Sequence, residues 1–413
     1  MVSFSPDITG NPGLTKLALV SYGVALPDGL DKPSRWVSQT NAGEAVVDMI
    51  LPSGHWTSVP VGQPYTESSP MKLIQENEFS FIDCAGQRLP VEMQRVPRFY
   101  REQTKHGARM GAFSALHDKV LILHPFLGCG FFSGENQSCR YCLYDSMLNE
   151  RVPPLRDPLE LVEVLHAAQN ERDVDTVYLY NGYSPDSACG LTRLLPVVEL
   201  LRRHLPGKQI ALETVAPHDA HVVDELYAAG VDLFICNLEL NDPVSFARLC
   251  PGKEEHGGQA AVRQALDYAL QTFPAGAVVS NLIAGLESAE STMAGVEDLV
   301  SSGVVPLLQP FRPLPGTPME DATRPSLQHL ESVFLHLYET LQYARLPLRR
   351  LRNMGRVMTP MEGRFLLGRE ASLRERIGDL AFSVVGRRVG SMLDTWRRNL
   401  RVQYADDGSP PNR

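Results

Sequence analysis

At 413 residues, 43% hydrophobic and 21% charged, the chain has the composition of a folded globular protein with one large core or two ordinary ones, because single cores stop growing at about 250–300 residues. The formal net charge of -9 argues against general nucleic-acid binding, and no window approaches the roughly 20 apolar residues of a membrane helix, so neither nucleic acid nor membrane is an expected partner. Seven cysteines, three of them between positions 129 and 142, do not form a disulfide framework in a chain this long; they point to metal binding in a reducing, cytoplasmic setting. The opening MVSFSPDITGNPG has neither the basic start nor the apolar run of a signal peptide.

Residues 1–118 contain short alternating stretches, 16–22 (KLALVSY) and 45–51 (AVVDMIL), broken by Pro, Gly and Ser; the expectation is a small, mostly β flank with a strand at each stretch. From residue 119 apolar runs alternate with amphipathic segments. Strands are expected at 120–124, 176–180, 210–215, 233–240, 277–283 and 304–311, and helices at 158–169, 191–204, 220–229, 259–272 and 291–302. Six such units in succession predict an α/β fold, a partial (β/α)6 TIM-like barrel over 119–318, with its chemistry at the C-terminal ends of the strands. Residues 319–413 read as a helical extension with a helix at 327–343, an arginine-rich stretch from 345 to 401, and a polar tail, ADDGSPPNR, expected to be disordered. The arginines suit solvated helix faces, or an anionic substrate or partner.

The segment 124–145 reads HPFLGCGFFSGENQSCRYCLYD. It places Cys129 just after the first barrel strand, then nine residues, then the pair Cys139 and Cys142 around Tyr141. Three thiolates on one loop hold three corners of a four-iron cluster and leave the fourth iron open to a ligand. The polar stretch Ser133, Gly134, Glu135 and Asn136 has the turn chemistry to fold the loop back on itself. The alternative is a structural zinc site completed by His124 or a remote residue, although closed tetrahedral shells more often use two spaced pairs.

Three cysteines after the first strand, with an aromatic residue inside the last pair, resemble the radical S-adenosylmethionine (SAM) superfamily, though with nine residues before the pair instead of the usual three. Downstream segments extend the resemblance over about 119–318. The turn Asn181-Gly182 stands where that superfamily binds the methionine amino group of SAM. The segment CNLELNDPVSFARLCPGK, 236–253, is similar to the fourth-strand region of the biotin synthase and lipoyl synthase branches. By that resemblance Asn237 and Glu239 face the SAM ribose, and Arg248 is a candidate for its carboxylate. If 233–240 is one strand, Asn237 and Glu239 share a face. Segments 281–287 and 309–318 look like those lining the adenine and substrate pocket.

The resemblance implies a [4Fe-4S] cluster, SAM, an external electron donor of flavodoxin or ferredoxin type, and a 5′-deoxyadenosyl radical that takes hydrogen from a small molecule. Cys84, Cys189, Cys236 and Cys250 form no second spaced motif, which disfavours sulfur insertion; no cobalamin-binding domain is apparent. Rearrangement, C–C or C–X bond formation and dehydrogenation remain, beside the alternative of a non-catalytic zinc- or cluster-stabilised binding protein on a barrel scaffold. Glu213, at the end of the third strand, is a candidate for cofactor or substrate. Tyr180, Tyr183, Asp186, His218 and Arg312 could meet substrate by their strand-end positions.

Overall fold

The computed structural model describes residues 10–27, 36–39, 44–143, 152, 154–351, 358–360, 362–367, 393, 396, 398 and 399. Most of the arginine-rich stretch and the whole polar tail, including its expected disorder, lie outside the described residues.

The flank begins with helix α1 (Pro12–Tyr22), where the sequence reading expects a strand at 16–22. Asn11 caps it, its side chain accepting the Leu14 amide at 3.0 Å, and Pro12 opens the first turn. Every residue from Gly13 to Tyr22 is buried, so the helix carries no polar stripe to give a 3.6-residue period. The strands that follow are β1 (Val37–Gln39), β2 (Ala45–Ile50), β3 (Trp56–Pro60), β4 (Met71–Glu76), β5 (Phe79–Cys84) and β6 (Gln87–Met93), with the short α2 (Pro64–Glu67) between β3 and β4. They form an antiparallel sheet in the order β1-β2-β6-β5-β4, with β3 on β2; the strand expected at 45–51 is β2.

The second sheet runs in sequence order: β7 (Ser114–His117), β8 (Val120–Leu123), β9 (Thr176–Tyr180), β10 (Gln209–Thr214), β11 (Leu233–Cys236), β12 (Val278–Ala284) and β13 (Val305–Pro310). From β8 to β13 all neighbours are parallel, and β7 closes the β8 edge as an antiparallel hairpin. Between and after them lie α3 (Pro158–Glu171), α4 (Leu191–His204), α5 (His221–Ala229), α6 (Pro243–Leu249), α7 (Pro251–Glu255), α8 (Gly258–Thr272), α9 (Ala289–Ser302) and α10 (Leu327–Ala344). The fold is the expected α/β one, a partial (β/α)6 barrel. Strands β8, β11 and β12 are buried at every position, as parallel strands covered on both faces must be.

One element departs in a way that matters for the site. Strand β11 stops at Cys236, four residues before the expected end. Glu239 takes a left-handed backbone (φ 64°), a conformation that breaks a strand and is rare for a residue with a side chain. Pairing with β12 resumes for a single bridge, Glu239 with Leu282.

A buried ion pair joins flank and barrel. Arg312, just past β13, grips Glu44 with two parallel bonds of 2.9 Å, and the Tyr65 hydroxyl donates to the same carboxylate at 2.5 Å. Glu44 is 4% exposed. Breaking such a pair strands a buried charge, at a cost of about 3–5 kcal/mol. Arg312, a candidate substrate contact from sequence, thus holds the flank against the barrel and also lines the cavity inside the half-barrel.

Candidate active site at the mouth of the half-barrel

The loop carrying the cysteines leaves β8 and is fixed on two sides. Towards β9, the Gly130 amide donates to the Tyr183 carbonyl at 2.8 Å, and the Phe131 and Tyr183 rings stack with centroids 4.0 Å apart. Towards α6 and α7, the Arg140 amide donates to the Leu249 carbonyl (2.8 Å), the Gly252 amide to the Gln137 carbonyl (3.0 Å), and Gln137 Nε2 to Glu255 (2.7 Å). A Cβ on Gly182 would stand 2.8 Å from the Cβ of Cys129. Glycine is required there for close approach of the β9 turn to the first cysteine. Gly182→Ala is expected to push Cys129 away and lower iron per chain after reconstitution, with the circular-dichroism spectrum unchanged; unchanged iron content would contradict this packing.

Cys129, Cys139 and Cys142 line one cavity of about 760 Å³ that fills the inside of the half-barrel. Tyr141, Asn181, Gly182, Glu213, Asn237 and Glu239 line it too. The site candidates therefore converge, with one exception: Arg248 is exposed on α6 and does not line the cavity. Lys253, the last residue of the quoted 236–253 segment, reaches the cavity instead, its ammonium 2.5 Å from Glu239 Oε1. Asn237 and Glu239 do share this space, though not as neighbours on one strand face. Asn237 is held by a chain of amides, accepting from Asn281 Nδ2 (2.8 Å) and donating to Glu213 Oε1 (2.7 Å).

The Tyr178 hydroxyl donates to the other Glu213 oxygen. Burial pushes the Glu213 carboxyl above its ordinary range, and the hydrogen bond from Tyr178 opposes it. For Lys253 burial disfavours the charge, but Glu239 and the nearby thiols outweigh it and hold the ammonium well above its usual value. Asn181 faces inward only in part: its side-chain amide ties the Cys189 carbonyl (3.0 Å) and Thr214 Oγ1 (3.1 Å), bracing the turn. Of the remaining strand-end candidates, Tyr180 lines the cavity, whereas Tyr183 supports the cysteine loop from behind and Asp186 accepts the amides of Ala188 and Gly190. His218 pairs with His256 at 3.2 Å.

The donor set suits an iron–sulfur cluster. Burial raises the Cys129 thiol to about 11 in the absence of iron, while the Tyr183 amide, 3.3 Å from its sulfur, and the Phe131 amide work against that rise. Amides aimed at cysteine sulfur stabilise negative charge there and tune a cluster. A hydrogen bond from Cys250 holds the Cys139 thiol below its ordinary value, and the Tyr141 hydroxyl lies 3.2 Å from Cys250 Sγ. Cys250 itself is packed behind the loop with Leu240, Phe246 and Leu249, and it does not line the cavity. Neither Cys250 nor Tyr178 is marked by any spacing in the sequence; their roles depend on tertiary contact. Among the described residues no group of three His, Cys, Asp or Glu side chains is arranged around a single metal ion.

No protein-family model matches the chain. Over 295 residues it is 22% identical to the bacteriochlorophyllide c C-7(1)-hydroxylase of Chlorobaculum limnaeum, covering 66% of this chain and 71% of the relative. Among solved structures it is similar to methylornithine synthase (18% identity, TM-score 0.41), with 54% of this chain matched to 63% of that one, less than two thirds of its length. It is also similar to HydG, a maturase of the [FeFe]-hydrogenase (15% identity, TM-score 0.44, 54% of this chain and 50% of that one). A third is a radical SAM methyltransferase from Sphaerobacter thermophilus (14% identity, TM-score 0.42, 67% and 76%). The cysteine loop after β8, the glycine turn after β9 and the acid-bearing turn after β11 follow one another on six consecutive parallel strands, an order in which the chain resembles the radical SAM superfamily.

Proposed function

We propose that Cys129, Cys139 and Cys142 hold a [4Fe-4S] cluster, that SAM lies across the strand ends beside it, and that the enzyme takes a hydrogen atom from a small molecule in the cavity. The observation that carries this reading is the opening of all three thiols into the same cavity as Asn237, Glu239 and Lys253. Bound there, the reduced cluster and SAM supply a 5′-deoxyadenosyl radical as the hydrogen-abstracting agent.

The chain's own residues divide the remaining work. Glu239 accepts hydrogen bonds from ribose hydroxyls, Asn237 adds an amide from the same turn, and Lys253 is a fixed cation for the methionine carboxylate, the role Arg248 is too exposed to play. The Asn181-Gly182 turn presents backbone groups to the methionine amino group. Val120, Ile122, Ile283, Leu307 and Phe311 keep water from the interior. Similarity to a hydroxylase supports C–X bond formation, here to oxygen, among the outcomes open to a substrate radical. The seven cysteines offer no second spaced motif for an internal relay, which supports an external one-electron donor of flavodoxin or ferredoxin type.

Anaerobically purified protein is expected to be brown and to carry about four irons and four sulfides per chain. Colourless protein with stoichiometric zinc would contradict the assignment.

A further inference from the structure

The cavity does not end below the cluster. Its walls follow the inward-facing positions down the strands, Tyr180 then Tyr178, Ile122 then Val120, to the opposite end of the half-barrel. There it meets the β7–β8 turn at His117 and, from outside the barrel, Lys16 of α1 and Trp56 at the start of β3. Strands of four to seven residues at about 3.3 Å each separate this floor from the cysteine mouth by roughly 13–23 Å. The stretch between is mostly apolar.

Two polar atoms on the floor lack a partner among the described residues. His117 Nε2 and Trp56 Nε1 are both buried with no hydrogen bond among the described residues, and His117 is only 7% exposed. The other His117 nitrogen is occupied: Nδ1 lies 3.0 Å from Ser58 Oγ and 3.4 Å from the buried Asp48 carboxylate. Burial opposes ionisation of Asp48, but His117 and Ser58 outweigh it and hold the carboxyl below its ordinary value. Trp56 and Ser58 are two apart on β3 and share a face, so the indole points to the same side as the Ser58–His117 contact. A buried ring N–H without a partner costs free energy unless a ligand supplies the acceptor.

The surroundings favour an anion. Lys16 Nζ lies 2.6 Å from Glu362, Arg172 stands over the Trp56 ring at 4.7 Å, and Arg364 lines the same floor. Among the charged side chains lining the floor, Lys16, Lys119 and Arg364 outnumber the carboxyls of Asp118 and Glu362 by one.

We propose that this floor is a carboxylate-binding subsite, so that the substrate is a carboxylic acid with an apolar body, anchored by Trp56 and His117 while its reacting carbon is presented to the mouth. The proposal rests on the radical reading for the mouth, but the floor requires neither cluster nor SAM to bind. The carboxylate accepts from Trp56 Nε1–H and His117 Nε2–H, and the apolar body packs along Val120, Ile122 and Leu307.

The test uses decanoate and the uncharged decanamide as probes of equal length, titrated by calorimetry into reconstituted enzyme and into Cys139→Ala protein. Decanoate is expected to bind at least about tenfold more tightly than decanamide in both proteins, the difference a charge-assisted bond makes. Trp56→Phe, which keeps the packing, and His117→Gln are each expected to shrink that preference to less than about threefold while SAM binding stays at the parent level. Equal affinity of acid and amide in the parent, or a preference unchanged in both variants, would overturn the proposal. Decanoate selectivity in a protein that does not cleave SAM would leave the floor subsite standing and fail the radical reading; SAM cleavage without acid selectivity does the reverse.

Discussion

Replacing any one of Cys129, Cys139 or Cys142 by Ala removes the iron while leaving the chain soluble and folded. In the proposed site each thiolate is one of three protein ligands, and two are too few to retain a cubane against loss to solvent. All three are half-buried on the loop after β8, outside the strand and helix ladders, so the barrel core does not depend on them. Two further cysteines make the test discriminating. Cys84 ends β5 in the flank sheet, and its loss leaves iron unchanged. Cys250 contacts Cys139 and is the residue most easily mistaken for a fourth ligand, yet it faces an apolar cluster and does not line the cavity. Cys250→Ala is therefore expected to retain about four irons per chain. Iron quantification after anaerobic reconstitution of the five variants decides the point, and full retention in any of the first three contradicts the ligand set.

The second large effect is on SAM. Asn237→Ala combined with Glu239→Gln should raise the dissociation constant for SAM roughly 30- to 2000-fold at equal iron content, since bonds to a neutral and a charged group contribute about 0.5–1.5 and 1.5–3 kcal/mol. Gln is chosen at 239 because Lys253 is buried beside that carboxylate, and a smaller residue would leave the ammonium without an acceptor. Calorimetry on parent and variant measures the effect. Unchanged affinity would show that the turn after β11 serves the protein's own packing and not SAM.

The barrel was legible because its signal is physical and repeated. Parallel strands covered on both faces must be runs of apolar residues, and β9 and α4 appear with the expected bounds. Where the environment removes the pattern, reading fails. Helix α1 is buried all round, so KLALVSY has no period to distinguish helix from strand, although Asn11-Pro12 was a capping signal in plain view. β7 is four residues long and owes its existence to pairing with β8 through a turn in which Asp118 adopts φ 50°.

The site divides in the same way. Spacing singled out the three cysteines, and segment order singled out Asn181-Gly182, Asn237 and Glu239, and the fold brings them to one cavity because each lies just after a strand. The left-handed Glu239, the burial of Lys253 in place of Arg248, and Cys250 behind Cys139 are products of how the turn after β11 folds onto the cysteine loop. No local pattern encodes them.

The central claim is radical chemistry at the cysteine loop, and the most direct measurement is incubation of the reduced, iron-replete enzyme with SAM, followed by chromatography. The account predicts slow formation of 5′-deoxyadenosine and methionine in equal amounts without substrate, and none in Cys139→Ala. An enzyme with a full, reducible cluster that neither binds nor cleaves SAM would contradict it.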